Sequence, residues 1–483
     1  MTKEKKTSVT AGSFFETQTL SDLHEDIRAT YLCNDLPWVI GYSGGKDSTA
    51  TLQVLWEALA ELAPEARTKP IHVISSDTLV ETPNIVDYID STLEKVEAAA
   101  KDAGIPIETQ KVVPEISDTF WVNIIGRGYP APSTRFRWCT ERMKIRPANK
   151  YILDVAAKHG EVVMVLGARR GESATRDQVL NDETRRIPGT NLTRHSDLAR
   201  AYVYTPIEDW SIDDVWTYLL SRPSPWGGNN RDLAAMYRNT DGGECPLVVD
   251  TSTPSCGNSR FGCWTCTVVT KEKAIAGLID SGEKWLIPLQ ELREQLVETQ
   301  IPERKREFRD YKRRDGRVYW TKENKIIPGP YKFSYRKQLL RDVLSTQRQV
   351  REETGDHDLS LIRDDELKEI RRIWRQENSD WDDSVPAIYK DVMETDIAWL
   401  HDEVGGFDGK DHALLQSLCE KDGLPVELIT RLIDVEIRKR GMGRRTGIFA
   451  EIGRIVNEEW DDETSVTERR RTETITIKDL DLD

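Results

Sequence analysis

The chain has 483 residues, and its 83 acidic side chains outnumber its 68 basic ones, which gives a formal net charge of -15. This balance argues against a protein that binds nucleic acid through an overall positive charge, although it allows a local basic groove. No apolar run approaches the ~20 residues that span a bilayer, and the N-terminus has no apolar signal core, so we expect a cytoplasmic protein with no membrane association.

Four short runs that read as strands alternate with stretches of helical spacing in the first part of the chain. The runs cover residues 38–42, 71–77, 107–113 and 161–168. Strands that alternate with helices predict an α/β fold with a doubly wound, mostly parallel sheet. Such sheets bind ligands at the carboxyl ends of their strands, so the loops after residues 42, 77 and 168 are the candidate sites.

The rest of the chain divides by composition. An amphipathic helix is expected over 210–220, the following stretch to 266 is rich in Gly, Pro, Asn and Cys, and the pattern is mostly helical from 335 onwards. We therefore expect a polar lead-in over 1–30, the α/β domain over 31–220, a cysteine-rich and basic region over 221–334, a helical domain over 335–460 and a charged tail over 461–483. The tail is expected to be mobile or to form a late strand.

The segment GYSGGKDS, residues 41–48, follows the first predicted strand and opens a helix. Backbone N–H groups in a glycine-rich turn at a helix N-terminus bind anions, and the helix dipole favours them. Lys46 is followed by Asp47, and Ile40 stands where a Walker A loop has its first glycine, so this is not a Walker A loop. Asp47 is expected to partner Mg²⁺, and the alternative reading is a glycine turn with a capping serine. The expected phosphate-binding residues are Ser43, Gly44, Gly45, Lys46, Asp47 and Ser48.

Three arginines, Arg169, Arg170 and Arg176, follow the fourth predicted strand. They are expected beside the phosphate loop, because both segments follow strands at the carboxyl edge of the sheet. The guanidinium group of Arg can bind a phosphate through two hydrogen bonds at once. The alternative is a solvated loop in which Glu172 pairs with one of them. A second basic run, residues 303–320, interleaves aromatic and cationic side chains, which suits nucleic-acid backbone contacts with stacking as well as a solvated helix face.

Four cysteines follow the spacing C-x10-C-x6-C-x2-C, which contains a single C-x2-C pair. Zinc ribbons usually have two such pairs, whereas an iron–sulfur cluster accepts ligands from separate loops. The spacing therefore favours a [4Fe–4S] cluster, with zinc and incidental buried cysteines as alternatives. Clustered cysteines in a reducing cytosol also argue against a disulfide framework. The expected ligands are Cys245, Cys256, Cys263 and Cys266.

Cys139 lies apart from this array, in the segment RFRWCTERMK. Neighbouring cations lower the pKa of a thiol, so Cys139 is the expected sulfur-handling nucleophile. Its rival role is to be a cluster ligand in place of Cys245. Cys33 and Cys419 have apolar neighbours and are expected to be core residues.

These motifs resemble known enzymes. The segment SGGKDS resembles the PP-loop of the N-type ATP pyrophosphatases, which cleave ATP between its α- and β-phosphates. The segments SSDTLVETPN (75–84), GARRGESATR (167–176) and PIEDWSIDDVWTYL (206–219) are similar to segments of the phosphoadenylylsulfate reductase branch. With TRFRWCTERMKIRP and the cysteine array, the order of the motifs resembles the sulfurtransferase (DndC) family of bacterial DNA phosphorothioation.

The resemblance implies a sulfurtransferase that uses ATP to adenylylate a DNA backbone phosphate, releases pyrophosphate and replaces a non-bridging oxygen with sulfur. It implies ATP, Mg²⁺ and a [4Fe–4S] cluster as cofactors. The implied partners are DNA, a cysteine desulfurase as sulfur donor and other phosphorothioation subunits. Lys46, Asp47 and Cys139 are the implied catalytic residues, and Asp77 and the three arginines are implied nucleotide contacts.

The chain departs from the reductases in two places. Thr140 stands where the second cysteine of their C-C-x-x-x-K-x-x-P segment would be, and their C-terminal E-C-G nucleophile is missing, since the late Cys419 is followed by Glu420. Sulfonucleotide reduction therefore lacks its nucleophile. Two alternatives stay open, a sulfonucleotide reductase or tRNA thiolase on the same core and a non-catalytic, ATP-switched iron–sulfur subunit that binds DNA.

Overall fold

The computed structural model describes residues 13–172, 177–178, 180, 182–238, 262–269, 273–400, 407–439 and 447–480. The chain forms two compact units. Unit 1 comprises Met1–Phe120 and Pro132–Arg293, and unit 2 comprises Trp121–Ala131 and Glu294–Asp483. The short segment Trp121–Ala131 thus leaves unit 1 and returns to it, a crossing that the sequence pattern did not indicate.

A six-stranded sheet forms the centre of unit 1 within the described residues, in the order β3-β2-β1-β4-β6-β5. Its pairs are parallel except for β5 with β6, which confirms the predicted α/β fold with a mostly parallel sheet. The strands β5 and β6 were not predicted, and β5 has only two residues, which is too few to show a period. The strands are β1 Trp38–Gly41, β2 Ile71–Ser76, β3 Ile107–Val112, β4 Val162–Val165, β5 Thr193–Arg194 and β6 Ala201–Tyr204.

Helices cover both faces of this sheet. Trp38 and Ile40 of β1 pack into a core shared with three of the helices, α1 to α3, whereas Val39 points into a second core with α4. This alternation is the period of two expected of a strand buried on both faces. The helices beginning in unit 1 are α1 Leu20–Leu32, α2 Lys46–Ala60, α3 Pro83–Ala103 and α4 Arg146–His159, followed by Ile212–Ser221, Asn230–Arg238, Lys273–Asp280 and Ile287–Glu298.

Strand order sets the place of a ligand site in unit 1. The strand β1 lies between β2 and β4, so the chain moves to one side of β1 through β2 and β3 and then crosses to the other side with β4. The crevice where the order reverses is the usual ligand site of such a sheet. The loops after β1 and β4 meet there, and they contain the predicted residues 43–48 and 169–170.

Unit 2 is helical, as predicted for residues 335–460. Its segment Trp121–Ala131 is fastened to the helices by buried hydrogen bonds, since the Trp121 indole donates to the Leu361 carbonyl at 2.6 Å and the Trp374 indole donates to the Ile125 carbonyl at 2.9 Å. The helices are Lys305–Phe308, Phe333–Thr354, Asp364–Glu377, Ser384–Met393, Gly409–Asp422, Val426–Lys439, Ile448–Val456 and Glu463–Leu480.

Three local predictions were wrong. Residues 463–480 form a helix rather than a mobile tail or strand, because the Asp462 carboxylate caps the N–H groups of Thr464 and Ser465. The stretch 221–266, expected to be irregular, contains the helix Asn230–Arg238. Cys419 is buried as predicted, but Cys33 is exposed at the end of α1. Among the described residues, no helix is both long and apolar enough to span a bilayer.

Candidate functional site

The glycine-rich loop connects β1 to α2 as predicted. Gly44 has a φ of +71°, a conformation that glycine adopts without strain, and Gly45 precedes α2 without a side chain that could cap its first turn. The hydroxyls of Ser43 and Ser48 lie 3.1 Å apart, and the Ser43 N–H donates to Ser48 Oγ at 3.2 Å. The loop is therefore braced from inside, and the positive end of α2 is left uncapped by any side chain of Gly45.

Asp47 lies between two cations in this loop. Its Oδ2 accepts a 2.6 Å hydrogen bond from Lys46 Nζ, and its Oδ1 accepts a 2.6 Å hydrogen bond from Arg169 Nε. All three side chains are buried, and Arg169 is only 4% exposed. One carboxylate therefore fixes the positions of two cations at the switch point of the sheet, where a phosphate would bind.

Arg169 reaches this position because β4 and α2 are close together. A Cβ on Gly167 would lie 2.8 Å from the carbonyl oxygen of Asp47, so only glycine allows the loop after β4 to approach α2. Further along the guanidinium, Nη2 lies 3.5 Å from Glu172 Oε1. Glu172 thus pairs with an arginine as the alternative reading of this loop foresaw, but the arginine is buried rather than solvated.

Tyr237 occupies the start of α2 from another helix. Its hydroxyl accepts a 3.0 Å hydrogen bond from the backbone N–H of Lys46, and its ring packs edge-on against Trp216 at 5.0 Å. The N–H groups at the start of a helix are those that bind phosphate. A tyrosine oxygen thus takes one position at which a phosphate oxygen would be bound.

Two predicted nucleotide contacts are paired with other protein groups. Arg170 forms ion pairs with Glu208 at 3.1 Å and Asp209 at 2.8 Å. Asp77 pairs with Lys111 at 3.0 Å and accepts the N–H of Leu79 at 2.8 Å. Their predicted contacts with nucleotide stay predictions. Arg176 lies outside the described residues.

Three cysteines line one cavity of about 50 Å³ in unit 1. They are Cys139, Cys263 and Cys266, and no disulfide joins them. Thr140 and Thr265 also line this cavity, and their buried hydroxyls have no hydrogen-bond partner among the described residues. The structure thus brings the isolated Cys139 next to the C-x2-C pair. Cys245 and Cys256 lie outside the described residues.

The loop after β2 forms the other side of this cysteine site. Thr78 Oγ1 lies 3.2 Å from the sulfur of Cys263, and the same hydroxyl donates to Glu81 at 2.9 Å. Leu79, between them, has a φ of +64°, a strained conformation for a branched side chain. Burial raises the pKa of the Cys263 thiol, and the nearby Glu81 carboxylate raises it further.

Both sites lie at the same edge of the sheet. The strands β1 and β2 are parallel neighbours, with Gly41 opposite Ile74. The glycine-rich loop follows β1, and the loop that contacts Cys263 follows β2. Since the carboxyl ends of parallel neighbours lie side by side, the glycine-rich loop and the loop that contacts Cys263 are adjacent.

Two of the cations near Cys139 are paired with acids. Arg142 donates to Asp118 at 2.8 Å, and the buried Lys144 lies 3.8 Å from Glu81. The sequence suggested that these side chains act on the thiol itself. In the structure their charge is shared with carboxylates, and Lys144 links the segment of Cys139 to the Glu81 loop.

A buried arginine holds the backbone of the cysteine loop. Arg293, which is fully buried, donates from Nε to the Cys266 carbonyl at 2.8 Å and from Nη2 to the Val269 carbonyl at 2.5 Å. Thr267 donates to the Pro132 carbonyl at 2.6 Å, close in the chain to Cys139. The two segments that bear the thiols are therefore tied to one another.

A family match covers this unit. Residues 37–269 match the model of the phosphoadenosine phosphosulfate reductase domain, a span that includes the glycine-rich loop, Arg169 and the cysteine cavity. A domain of the phosphoadenosine phosphosulfate reductase type is present. The matched span is just under half of the chain, and the helices from residue 273 onwards lie outside it.

Similar proteins were found by sequence and by structure. An uncharacterized protein of Methanocaldococcus jannaschii is 28% identical over 200 residues, which are 41% of this chain and 35% of that protein. The chain therefore spans about a third of the length of that relative. Two solved structures are more distant. FMN adenylyltransferase of Candida glabrata, in complex with FAD and inorganic pyrophosphate, is 11% identical, with a TM-score of 0.26 over 45% of this chain and 61% of that one.

The second structure is the U34-tRNA thiolase NcsA of Methanococcus maripaludis with its [4Fe–4S] cluster. It is 15% identical, with a TM-score of 0.27 over 59% of this chain and 82% of that one. At these scores neither structure decides the fold or the function. The assignment of the reductase-type domain depends on the family match and on the observed sheet.

The donor chemistry of the cysteine cavity fits an iron–sulfur cluster. Three thiols line the same cavity, and iron–sulfur clusters are held by cysteine thiolates. In the part of the chain that the structure describes, no three His, Cys, Asp or Glu side chains are close enough together to hold a metal ion. A complete ligand set would thus need further residues, and Cys245 and Cys256 are the predicted ones.

The glycine-rich loop does not offer Asp47 as a ligand of Mg²⁺ in this arrangement. Mg²⁺ binds carboxylate oxygens, and both oxygens of Asp47 are already hydrogen-bonded to cations. The magnesium role of Asp47 stays a prediction. What the structure gives this residue is the positioning of Lys46 and Arg169.

The sequence did not indicate four residues of the reductase-type domain that contact the predicted ones. Tyr237 lies in the stretch 221–266 that was expected to be irregular, and Arg293 lies outside the quoted motifs, so neither residue gave a signal. Thr78 and Glu81 lie inside the quoted segment SSDTLVETPN, so their motif was found, but no contact with a cysteine could be inferred without the fold.

Proposed function

We propose that this protein is an ATP-dependent sulfurtransferase whose acceptor is a backbone phosphate of DNA. One observation supports this most strongly. Cys139, Cys263 and Cys266 line a single cavity whose other side is the loop after β2, next to the anion-binding loop after β1. Thiol chemistry and nucleotide chemistry are therefore adjacent in one domain, as an enzyme that activates an oxygen with ATP and replaces it with sulfur requires.

The first step is adenylylation. An oxygen of the acceptor phosphate attacks the α-phosphorus of ATP, a new P–O bond forms, and the bond to the β-phosphate breaks with release of pyrophosphate. Lys46 and Arg169 stabilise the negative charge of the phosphates, because Asp47 holds both cations in place before ATP arrives. The N–H groups at the start of α2 bind the departing pyrophosphate.

The second step transfers sulfur. A sulfide attacks the activated phosphorus, a P–S bond forms, and AMP leaves with the electron pair of the broken P–O bond. If a persulfide of Cys139 delivers the sulfur, its terminal sulfur attacks phosphorus, and the DNA stays linked to Cys139 through an S–S bond. A thiol reductant must cleave this S–S bond to release the phosphorothioate and to free Cys139. A cysteine desulfurase supplies the sulfur as a persulfide in either case, and in the sulfide route a thiol reductant first releases that sulfur as sulfide.

A [4Fe–4S] cluster would bind at the cysteine cavity. Cys263 and Cys266 would hold it together with Cys245 and Cys256, and a bound cluster would supply iron that can bind sulfide or exchange electrons. Cys139 is then the sulfur-handling thiol. Its rival role, a ligand in place of Cys245, is equally compatible with its position on the cavity wall.

DNA is favoured as the acceptor by the order of the motifs, which resembles the DNA phosphorothioation sulfurtransferases. Sulfonucleotide reduction is disfavoured because Cys419, the last cysteine, is 3% exposed inside a helix of unit 2 and is followed by Glu420 instead of glycine. A buried thiol in that position cannot act on a substrate in solution.

The test is a reconstituted reaction under anaerobic conditions. The protein is combined with ATP, a cysteine desulfurase, sulfur-labelled cysteine and the other phosphorothioation subunits, and separate reactions receive duplex DNA, tRNA or adenylylsulfate. We expect label in nuclease-resistant phosphorothioate dinucleotides from DNA, and none with Lys46→Ala. Label in tRNA alone, sulfite from adenylylsulfate, or ATP binding without pyrophosphate release would each replace the proposal with one of its alternatives.

The role of Cys139 is tested separately by iron content and visible absorption. With Cys139 as sulfur carrier, Cys139→Ser keeps the cluster and loses sulfur transfer, whereas Cys263→Ser loses both. Loss of the cluster from Cys139→Ser would instead make Cys139 a ligand.

A further inference from the structure

Unit 2 contains a polar cavity of about 330 Å³ that the proposed reaction does not use. It is bounded by the segment Trp121–Ala131, the turn 310–316 and the ends of several helices. Among the described residues, eight Arg and Lys side chains line it, against six Asp and Glu. The cavity thus has an excess of positive charge within an acidic protein.

Part of this charge is neutralised within the cavity. Glu458 accepts two hydrogen bonds from Arg431 and lies 3.4 Å from Arg454. Arg438 pairs with Glu451 at 2.7 Å. These acids are therefore already engaged with arginines of the cavity wall.

Arg336 is a buried cation that forms no ion pair with a carboxylate among the described residues, although the charges of Glu377 and Asp380 act on it from a greater distance. Its side chain is almost fully buried, and its Nε and Nη2 donate to the carbonyls of Ile125 and Gly126 at 2.8 Å, with a further 2.6 Å bond to the Asn378 amide oxygen. Its Nη1 makes no hydrogen bond within the described residues. Burial lowers the pKa of Arg336 to about 9. A guanidinium buried with only neutral acceptors is unfavourable unless an anion compensates it.

Two neighbours in the lining, the half-buried Lys312 and the exposed Arg313, also lack a carboxylate partner among the described residues. Arg313 donates to the Pro328 carbonyl at 3.2 Å, and Lys312 Nζ lies 5.0 Å from the ring of Trp460. Within the described part of the chain, neither forms an ion pair with a carboxylate. Three cations from two different segments thus face one cavity with no acid bound to them.

We propose that this cavity binds a phosphate group through Arg336, Arg313 and Lys312, as a second anion site separate from the loop after β1. Guanidinium groups match the oxygens of a phosphate in pairs, and a lysine adds a mobile point charge. The volume lies near the lower end of ligand pockets, about 300–1,000 Å³, so it admits a phosphate with a nucleoside attached. The phosphate can come from a free nucleotide or from a nucleic-acid backbone.

The test uses the full-length protein with Lys46→Ala, which weakens phosphate binding at the loop after β1. Calorimetric titrations are made with inorganic phosphate, with AMP and with a short DNA duplex. We expect at least one of them to bind, and the double change Lys312→Ala, Arg313→Gln to weaken that binding by about tenfold or more, since it removes charge-assisted hydrogen bonds. Arg341→Gln is the matched control. Arg341 lies on the same helix as Arg336, but it is exposed and pairs with Asp391 of another helix.

Each arm has a decisive outcome. Binding of AMP that depends on Arg313 identifies a nucleotide site, and binding of the duplex that depends on Arg313 identifies a nucleic-acid contact. Arg336→Gln is expected to abolish either one, and if that variant unfolds, the Lys312 and Arg313 changes decide alone. The proposal is overturned if none of the three ligands binds to the Lys46→Ala protein. It is also overturned if the double change leaves the observed binding intact. The sulfur-transfer reaction can fail its own test without affecting these titrations.

Discussion

The hydroxyl of Tyr237 accepts a hydrogen bond of 3.0 Å from the backbone N–H of Lys46. Lys46 is the first residue of α2, and its N–H is one of the groups that would bind a phosphate oxygen. A nucleotide bound at this loop would therefore have to displace the Tyr237 hydroxyl from this N–H. Tyr237 lies in the last turn of the helix Asn230–Arg238. Under the proposed function, we therefore expect ATP binding to depend on the position of the helix Asn230–Arg238.

Replacing Tyr237 with phenylalanine is expected to strengthen ATP binding. The change leaves the Lys46 N–H without its partner in the free protein, and a hydrogen bond of this kind is worth about 0.5–1.5 kcal/mol, or about two- to tenfold in Kd. Titration of the two proteins with a non-hydrolysable ATP analogue measures the effect. Tyr202→Phe on β6, which removes a 2.8 Å hydrogen bond to Glu161, is the control and should leave the Kd for ATP unchanged. Weaker binding by Tyr237→Phe would mean that the hydroxyl assists the nucleotide.

Replacing Asp47 with asparagine should destabilise the free protein more than its complex with ATP. The change leaves Lys46 and Arg169 buried without their shared counter-charge, at a cost of about 3–5 kcal/mol. ATP phosphates restore part of that charge balance, so ATP should raise the melting temperature of the variant more than that of the parent. Asp209→Asn, at an exposed pair with Arg170, should cost at most about 1 kcal/mol. Equal shifts with ATP in both proteins would contradict the positioning role of Asp47.

Gly167→Ala should disturb the site without removing any of its polar groups. The new Cβ would lie 2.8 Å from the Asp47 carbonyl oxygen and 2.9 Å from Thr51 Oγ1, so the loop after β4 must move away from α2 and take Arg169 with it. We expect weaker ATP binding and a lower melting temperature. In the matched change Gly453→Ala, within a helix and with no atom within 4 Å of the new Cβ, stability should rise by about 0.5–1 kcal/mol. Unchanged ATP binding by Gly167→Ala would show that the approach of the two segments does not position Arg169.

Arg293→Gln should release the cysteine loop. The loss of the bonds to the Cys266 and Val269 carbonyls leaves two buried acceptors unsatisfied, at about 1–3 kcal/mol each. We expect less iron bound per protein after anaerobic reconstitution, while circular dichroism of the sheet and helices stays close to that of the parent. Arg222→Gln, at an exposed pair with Glu57, should keep its iron. Full iron content in Arg293→Gln would separate this clamp from the metal site.

The parts of the fold predicted correctly were those with strong local patterns. The run at 38–42 was recognisable because buried parallel strands are continuously apolar, and Gly44 and Gly45 marked the loop that follows it. The run at 107–113 contains Glu108, Gln110 and Lys111 and forms the edge strand β3, so its apolar ends and its place after a predicted helix indicated it. The strand β5 was missed because two residues are too few for a period to show, and β6, although as long as β1, was missed as well.

The long-range contacts of the site could not be predicted in the same way. The partner of Asp47 is 122 residues away in Arg169, and the partner of the Lys46 N–H is 191 residues away in Tyr237. The meeting of Cys139 with Cys263 also depends on the tertiary fold. A sequence reveals which groups are chemically suitable, whereas the sheet order decides which of them face one another.

The most direct test of the central claim is ATP–pyrophosphate exchange, measured anaerobically with labelled pyrophosphate, the partner subunits and either DNA, tRNA or no acceptor. Adenylylation of a DNA phosphate predicts exchange that DNA stimulates, that tRNA does not, and that Lys46→Ala abolishes, while Arg222→Gln leaves it intact. Exchange that is indifferent to DNA, or no exchange in the reconstituted protein, would contradict a nucleotide site that activates DNA for sulfur transfer.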